Sequence, residues 1–98
     1  MLSNSTIQEV RELDILDVTS KYIQLQKNGV LFKANCPFHD EKSASFTINP
    51  QKNIYKCFGC GKGGDAISFV MNYEKLEFIP AIEKLAKNHN INLIYEKQ

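Results

Sequence analysis

No apolar run in this 98-residue sequence is long enough to span a membrane. The first residues do not read as a signal peptide. Low-complexity tracts, collagen-like periods and internal repeats are absent, which excludes fibres and solenoids. Cysteine is scarce. Three residues are an odd number, which cannot all close into intramolecular disulfides, and a reducing cytoplasm fits that count. Net charge is nearly lacking: twelve Lys+Arg stand against eleven Asp+Glu, for a formal +1. A chain so balanced does not grip nucleic acid by bulk charge alone. Its length suits one small domain, 1–98, with a modest core, so a metal staple is a plausible part of its stability.

The few cysteines are not scattered. Cys36-Pro37-Phe38-His39 is followed, seventeen residues on, by Cys57-Phe58-Gly59-Cys60. C-x2-H-x17-C-x2-C supplies three sulfurs and one imidazole in two short clamps, each able to aim both side chains at one point. Tetrahedral Zn²⁺ takes four such ligands at about 2.0–2.3 Å. A Cys₃His shell has no open position, so one structural and non-catalytic zinc is expected on Cys36, His39, Cys57 and Cys60. Cys57 and Cys60 alone would also fit a redox dithiol. That reading lacks a βαβ surrounding and leaves Cys36 and His39 without a role. His89, in Lys87-Asn88-His89-Asn90, reads as a surface or helix-capping residue and not as a ligand.

Charge is unevenly spread. Residues 30–64 carry Lys33, Lys42, Lys52, Lys56 and Lys62 against Asp40 and Glu41, an excess of +3, while both flanks are slightly acidic. Three thiolates around Zn²⁺ carry a net −1, which leaves about +2 on this segment. Lysines beside an anionic zinc–thiolate cluster can simply steady it. Five together favour a polyanionic partner.

Helical flanks are expected at 1–29 and 65–98, around a ribbon core at about 30–64. Ser5 can cap a helix over Thr6–Leu13, and Asp14 a second over Ile15–Ser20. Tyr22–Leu25 alternates like a strand, Lys27-Asn28-Gly29 turns, and Val30–Ala34 returns. Ser45–Asn49 and Ile54–Cys57 make two more strands, joined by a turn over 49–53. Period two puts Phe46 and Ile48 on one face and Thr47 on the other. In the partner strand, Ile54 and Lys56 share a face opposite Tyr55 and Cys57. Asp65 caps Ala66–Asn72, and Phe78–Lys87 forms the last helix, with Pro80 tolerated in its first turn. Ile91–Tyr95 adds an edge strand. Gly61-Lys62-Gly63-Gly64 lacks the residue order of a phosphate loop. The fold class is α+β: a zinc ribbon, with a small antiparallel sheet and flanking helices.

Taken together, Cys36-Pro37-Phe38-His39-Asp40-Glu41-Lys42, Ser45-Phe46, Tyr55-Lys56-Cys57-Phe58-Gly59-Cys60-Gly61, Gly63-Gly64-Asp65 and Phe69-Val70-Met71 resemble the N-terminal zinc-binding domain of bacterial DNA primases of the DnaG type. Asp14–Val18, Tyr22, Phe78, Ala81 and Leu85-Ala86 fit the same pattern, so the likeness covers nearly the whole chain. It implies a domain that engages single-stranded template DNA and helps choose where an RNA primer begins. It also implies two partners, a polymerase domain of the toprim type and, through the rest of the protein, the replicative helicase. Lys42 and Lys56 fall at motif positions suited to template contact, and Lys33 precedes the first clamp. The sequence departs from the family at Ser43-Ala44, where Thr-Pro is common, and in a less basic 30–35 segment, so a thinner basic face is expected. No acidic toprim cluster is present. The chain is therefore expected to carry no catalytic residues and to be an excised domain or a freestanding relative, in a bacterial cytoplasm.

The expected mechanism is a rigid zinc platform presenting lysines to phosphates and aromatics to unpaired bases. Lys33, Lys42, Phe46, Lys56 and Lys62 are the candidate contacts. Phe46 and Phe58 are the rings weighed for stacking on bases, and for Phe58 and Tyr55 packing or shielding of the metal is the favoured reading. The alternative is a zinc-ribbon interaction module that docks on a polymerase domain or another replication protein. A redox or metal sensor is a third reading, and it requires labile zinc.

Overall fold

The computed structural model describes residues 1–38 and 45–96. Two short helices come first, α1 (Asn4–Arg11) and α2 (Ile15–Ser20). Five strands follow, β1 (Gln26–Asn28), β2 (Leu31–Ala34), β3 (Phe46–Asn49), β4 (Ile54–Cys57) and β5 (Gly63–Gly64). Helices α3 (Ala66–Glu74) and α4 (Phe78–Asn88) complete the order. The strands form one antiparallel sheet in sequence order, β1-β2-β3-β4-β5. The α+β class and the ribbon with helical flanks are as expected.

Local chemistry explains most of the boundaries. Ser3, not Ser5, caps α1: its Oγ accepts from the Thr6 amide at 3.1 Å. Asp14 caps α2 through Leu16 N, and Asp65 caps α3 through Ser68 N at 2.9 Å, both as expected. Helix α3 runs on to Glu74 and stops at Lys75, whose φ of 57° leaves the helical region. Pro80 sits in the first turn of α4.

Two expected strands differ. Tyr22–Leu25 is not a strand: Tyr22, Ile23 and Leu25 pack half-buried against the core. The first strand is instead the exposed Gln26–Asn28, paired to β2 through the two-residue loop Gly29-Val30. The loop's first position has φ +66°, which glycine adopts without strain. At the C-terminal end the described residues form, in place of a strand, an isolated bridge between Leu2 and Tyr95, backed by Ser3 N to Ile94 O at 2.8 Å and Glu96 N to Met1 O at 2.7 Å.

The core lies between the inner sheet face and the helices. Phe46, Ile48, Tyr55 and Cys57 point inward against Val10, Ile15, Val18, Phe69, Val70, Ile82 and Leu85. Phe38, Phe46, Tyr55 and Phe69 form a closed four-ring cluster in which every pair of centroids lies 5.5–6.0 Å apart. Tyr22 and Tyr73 extend it from Phe69. His89 is the C-cap residue of α4, as expected, but its side chain is only 10% exposed and faces Asp17 with Nδ1 3.7 Å from Oδ2. No helix among the described residues is long and apolar enough to cross a membrane.

Candidate metal centre and the outer sheet face

Strand register builds the metal centre. Ala34 pairs with Phe46, and Phe46 pairs with Cys57, so β2 and β4 end side by side with β3 between them. Cys36 lies two residues beyond Ala34, at the same end of the sheet as Cys57. Cys60 returns through a tight turn closed by Gly61 N to Cys57 O and Cys57 N to Lys62 O, both 2.8 Å. The three Sγ atoms consequently lie within 4.8 Å of one another, with Cys36 and Cys60 3.9 Å apart. Sulfurs at tetrahedral corners about 2.3 Å from a zinc ion are roughly 3.8 Å apart, so the donor set fits that ion in kind and spacing. His39, the expected fourth ligand, lies outside the described residues, as does Lys42.

The sulfurs are already supplied with donors. Phe38 N points to Cys36 Sγ at 3.4 Å, and Ser45 Oγ lies 3.6 Å from Cys57 Sγ. Burial raises the Cys57 thiol, but hydrogen bonds from the Cys60 and Gly59 amides, Ser45 and Cys36 outweigh it and bring it down to about 6. Burial, aided by the neighbouring thiols, pushes Cys36 the other way.

The opposite face of the sheet holds a groove of about 570 Å³. Leu31 and Lys33 of β2, Thr47 and Asn49 of β3 and Ile54 and Lys56 of β4 line it. Lys33, Thr47 and Lys56 stand in one cross-strand row. Gly63 ends that row on β5. A Cβ there would meet Tyr55 O at 2.9 Å, so only glycine lets β5 come this close. Lys52, on the β3–β4 turn, and Phe58, just past Cys57, close the rim. Lys56 Nζ also donates to Gly61 O at 3.1 Å, tying the groove to the second knuckle.

Among the candidate contacts, Lys33 and Lys56 come together in this groove. Lys62 is exposed in the following turn but does not line it. Phe46 is corrected: it is fully buried, nearly parallel to Tyr55 at 5.5 Å, and offers no face to a base. Phe58 is corrected in the opposite sense. Expected as packing, it is 74% exposed. Lys52, counted in the basic segment but not as a contact, and Phe58, weighed for stacking but read as packing, both line the groove. Continuing the β4 alternation through Ile54, Lys56 and residue 58 would have found the second.

The CHC2 zinc finger family model matches residues 2–98. The chain belongs to that family, the zinc-binding domain of bacterial DNA primases. This CHC2 domain is 50% identical over 97 residues to the DNA primase of Helicobacter pylori, covering 99% of the chain and 17% of that protein. It is 51% identical over 83 residues to the DNA primase of Escherichia coli, covering 85% of the chain and 14% of that protein. Among solved structures it is similar to the crystal structure of the Aquifex aeolicus primase (zinc binding and RNA polymerase domains), with a TM-score of 0.86 and 45% identity. That match covers 96% of this chain and 23% of the other. The chain thus spans less than a fifth of the length of these curated relatives.

Proposed function

We propose that this chain recognises single-stranded template DNA for a primase and so helps place the start of an RNA primer. One structural zinc, on Cys36, His39, Cys57 and Cys60, would fix the two knuckles relative to the sheet. Residues 1–98 act in this reading as one zinc-binding unit without catalytic residues.

The outer groove carries the proposal. Its floor is apolar, with Leu31 and Ile54, and its lysines are three on one face of a chain that is otherwise nearly neutral. Lys33, Lys52 and Lys56 supply salt-sensitive contacts to phosphates. The exposed Phe58 ring supplies a face for an unpaired base. Asn49, which lines the groove and holds Lys52 N, offers its amide group to base edges. Lys42 belongs to the same proposal through its motif position. A polymerase domain is the proposed neighbour, since the Aquifex aeolicus structure carries one beside its zinc-binding domain. The replicative helicase is reached through the rest of the protein, in a bacterial cytoplasm.

A docking reading draws on a different surface. Phe78 and Ile79 open α4 at 36% and 40% exposure and do not line the groove. They suit contact with the polymerase domain, and both readings can hold together.

The test is an amide titration of the zinc-loaded chain with short single-stranded DNAs at low and moderate salt. Shifts on Lys33, Thr47, Lys52, Lys56 and Phe58 that weaken with salt and vary with sequence are expected. Shifts confined to α4, or none at low salt, would reject the groove as the template site.

A further inference from the structure

At the end of the sheet away from the zinc knuckles, one side chain makes a contact that spans the fold. Asn53, on the β3–β4 turn, has a left-handed backbone with φ +57°. Its Oδ1 accepts from Ile15 N at 2.7 Å, and its Nδ2 donates to Leu13 O at 2.9 Å. Leu13 and Ile15 flank the cap residue Asp14 between α1 and α2. Ile15 N is the first helical amide of α2 and has no intrahelical acceptor. One amide group thus satisfies a donor and an acceptor 38 and 40 residues away.

The residues on either side of Asn53 are Lys52 and Ile54, and both line the outer groove. Lys52 N is held in turn by Asn49 Oδ1 at 3.2 Å, and Asn49 lines the groove as well. Four-residue strands put this turn about 10 Å from the knuckle end of β3 and β4. The groove is therefore fastened at two places, by the knuckle around Cys57 and Cys60 and by the Asn53 clamp. Without the clamp, the turn that carries Lys52 would be held by the strand ends and the Asn49 bond alone.

We propose that Asn53 is a positioning residue of the template groove: by bonding the β3–β4 turn to the α1–α2 junction it holds Lys52 and Ile54 where a nucleic-acid strand meets them. The inference rests on the groove being the template site. The position is selective for asparagine. Glycine takes the positive φ but makes neither bond. Aspartate still accepts from Ile15 N but sets a carboxylate oxygen against Leu13 O. Glutamine carries the amide one methylene too far for both contacts at these distances.

The experiment is a double-mutant cycle on the zinc-loaded chain, with single-stranded DNA affinity read by fluorescence anisotropy at low salt. Asn53→Gly should weaken binding about three- to tenfold, the size of one ordinary hydrogen bond. Lys52→Ala should weaken it similarly, and the double variant should lose little more than the larger single loss, because Asn53 acts through Lys52. Amide exchange should quicken at residues 52–54, while zinc stoichiometry and the thiolate spectrum of the cobalt-substituted chain stay unchanged. Unchanged affinity in Asn53→Gly, or fully additive losses, would overturn the proposal while leaving the groove reading intact. If the wild-type chain binds no DNA, the groove reading itself fails and this inference with it. Should Asn53→Gly not fold, Asn53→Asp, which keeps the bond from Ile15, is put through the same cycle.

Discussion

Phe46 and Phe58 lie within thirteen residues of each other, and the structure gives them opposite fates. Phe46 is wholly buried among Phe38, Tyr55 and Phe69, with centroids 5.5–6.0 Å away. Truncating it to alanine removes a ring from a closed cluster behind the metal centre. Large-to-small changes of this kind cost about 3–5 kcal/mol, a large share of the stability of a small domain. Phe58 is 74% exposed, so Phe58→Ala should change stability by no more than about 0.5 kcal/mol. Binding should show the reverse. A stacked base contributes about 1–3 kcal/mol, so Phe58→Ala should weaken single-stranded DNA binding roughly 5- to 150-fold. The assays are urea unfolding at fixed saturating zinc, followed by circular dichroism, and anisotropy with a short labelled oligonucleotide. If Phe58→Ala destabilises like Phe46→Ala, the assignment of the two faces is wrong. If Phe58→Ala folds normally and binds DNA as well as the wild type, the ring is no stacking platform.

Three groove lysines predict a slope of log K against log salt of about −2, and each of Lys33→Ala, Lys52→Ala and Lys56→Ala should reduce it by about 0.7; a steep slope unchanged by any of them would place the charge contacts elsewhere. Gly64 has φ +150°, and a Cβ there would lie 2.7 Å from Ser68 Cβ and Oγ, so Gly64→Ala should cost about 1–3 kcal/mol in the urea midpoint at fixed zinc. Burial, and then the hydrogen bond to Glu74, raise the Tyr22 hydroxyl to about 12. A folded pKa above the unfolded value near 10 means stability fully present below pH 10 and lost as pH rises through 12. Tyr22→Phe should flatten that alkaline loss, and a tyrosinate absorbance titration of wild type and variant would reveal an ordinary pKa if the contact is absent.

What was legible in the sequence was whatever a few residues fix locally. The double clamp named three thiols that the fold brings within 4.8 Å. Asp14 and Asp65 announced their helices because a carboxylate ahead of free amides is a local event. Ser3, Asn4 and Ser5 are all competent caps, so the start of α1 was ambiguous by two residues. Strand β1 was missed because Gln26, Lys27 and Asn28 are exposed and polar and owe their conformation to pairing with β2. The apolar alternation just before it was real, but it serves packing against α3 through Tyr22 and Phe69. Asn53 was illegible for the same reason: its partners are 38 and 40 residues away.

Phe58 and Phe46 show the finer limit. Both follow the same period-two rule, but the rule assigns faces only relative to a neighbour. The absolute choice comes from the partner face, and here β4 decides it. Tyr55 and Cys57 must point inward, one to join the ring cluster and one to meet the other thiols, so Ile54 and Lys56 are forced outward. Register then passes the choice on: Cys57 opposite Phe46 and Tyr55 opposite Ile48 turn those residues in, while Lys56 opposite Thr47 and Thr47 opposite Lys33 line up the basic row. A slip of one residue would exchange the two faces and scatter the sulfurs. The metal centre and the basic groove are therefore two consequences of one register. Substitutions at the inward positions should act on stability and zinc retention, and those at the outward positions on DNA binding, with little crossing between the two sets.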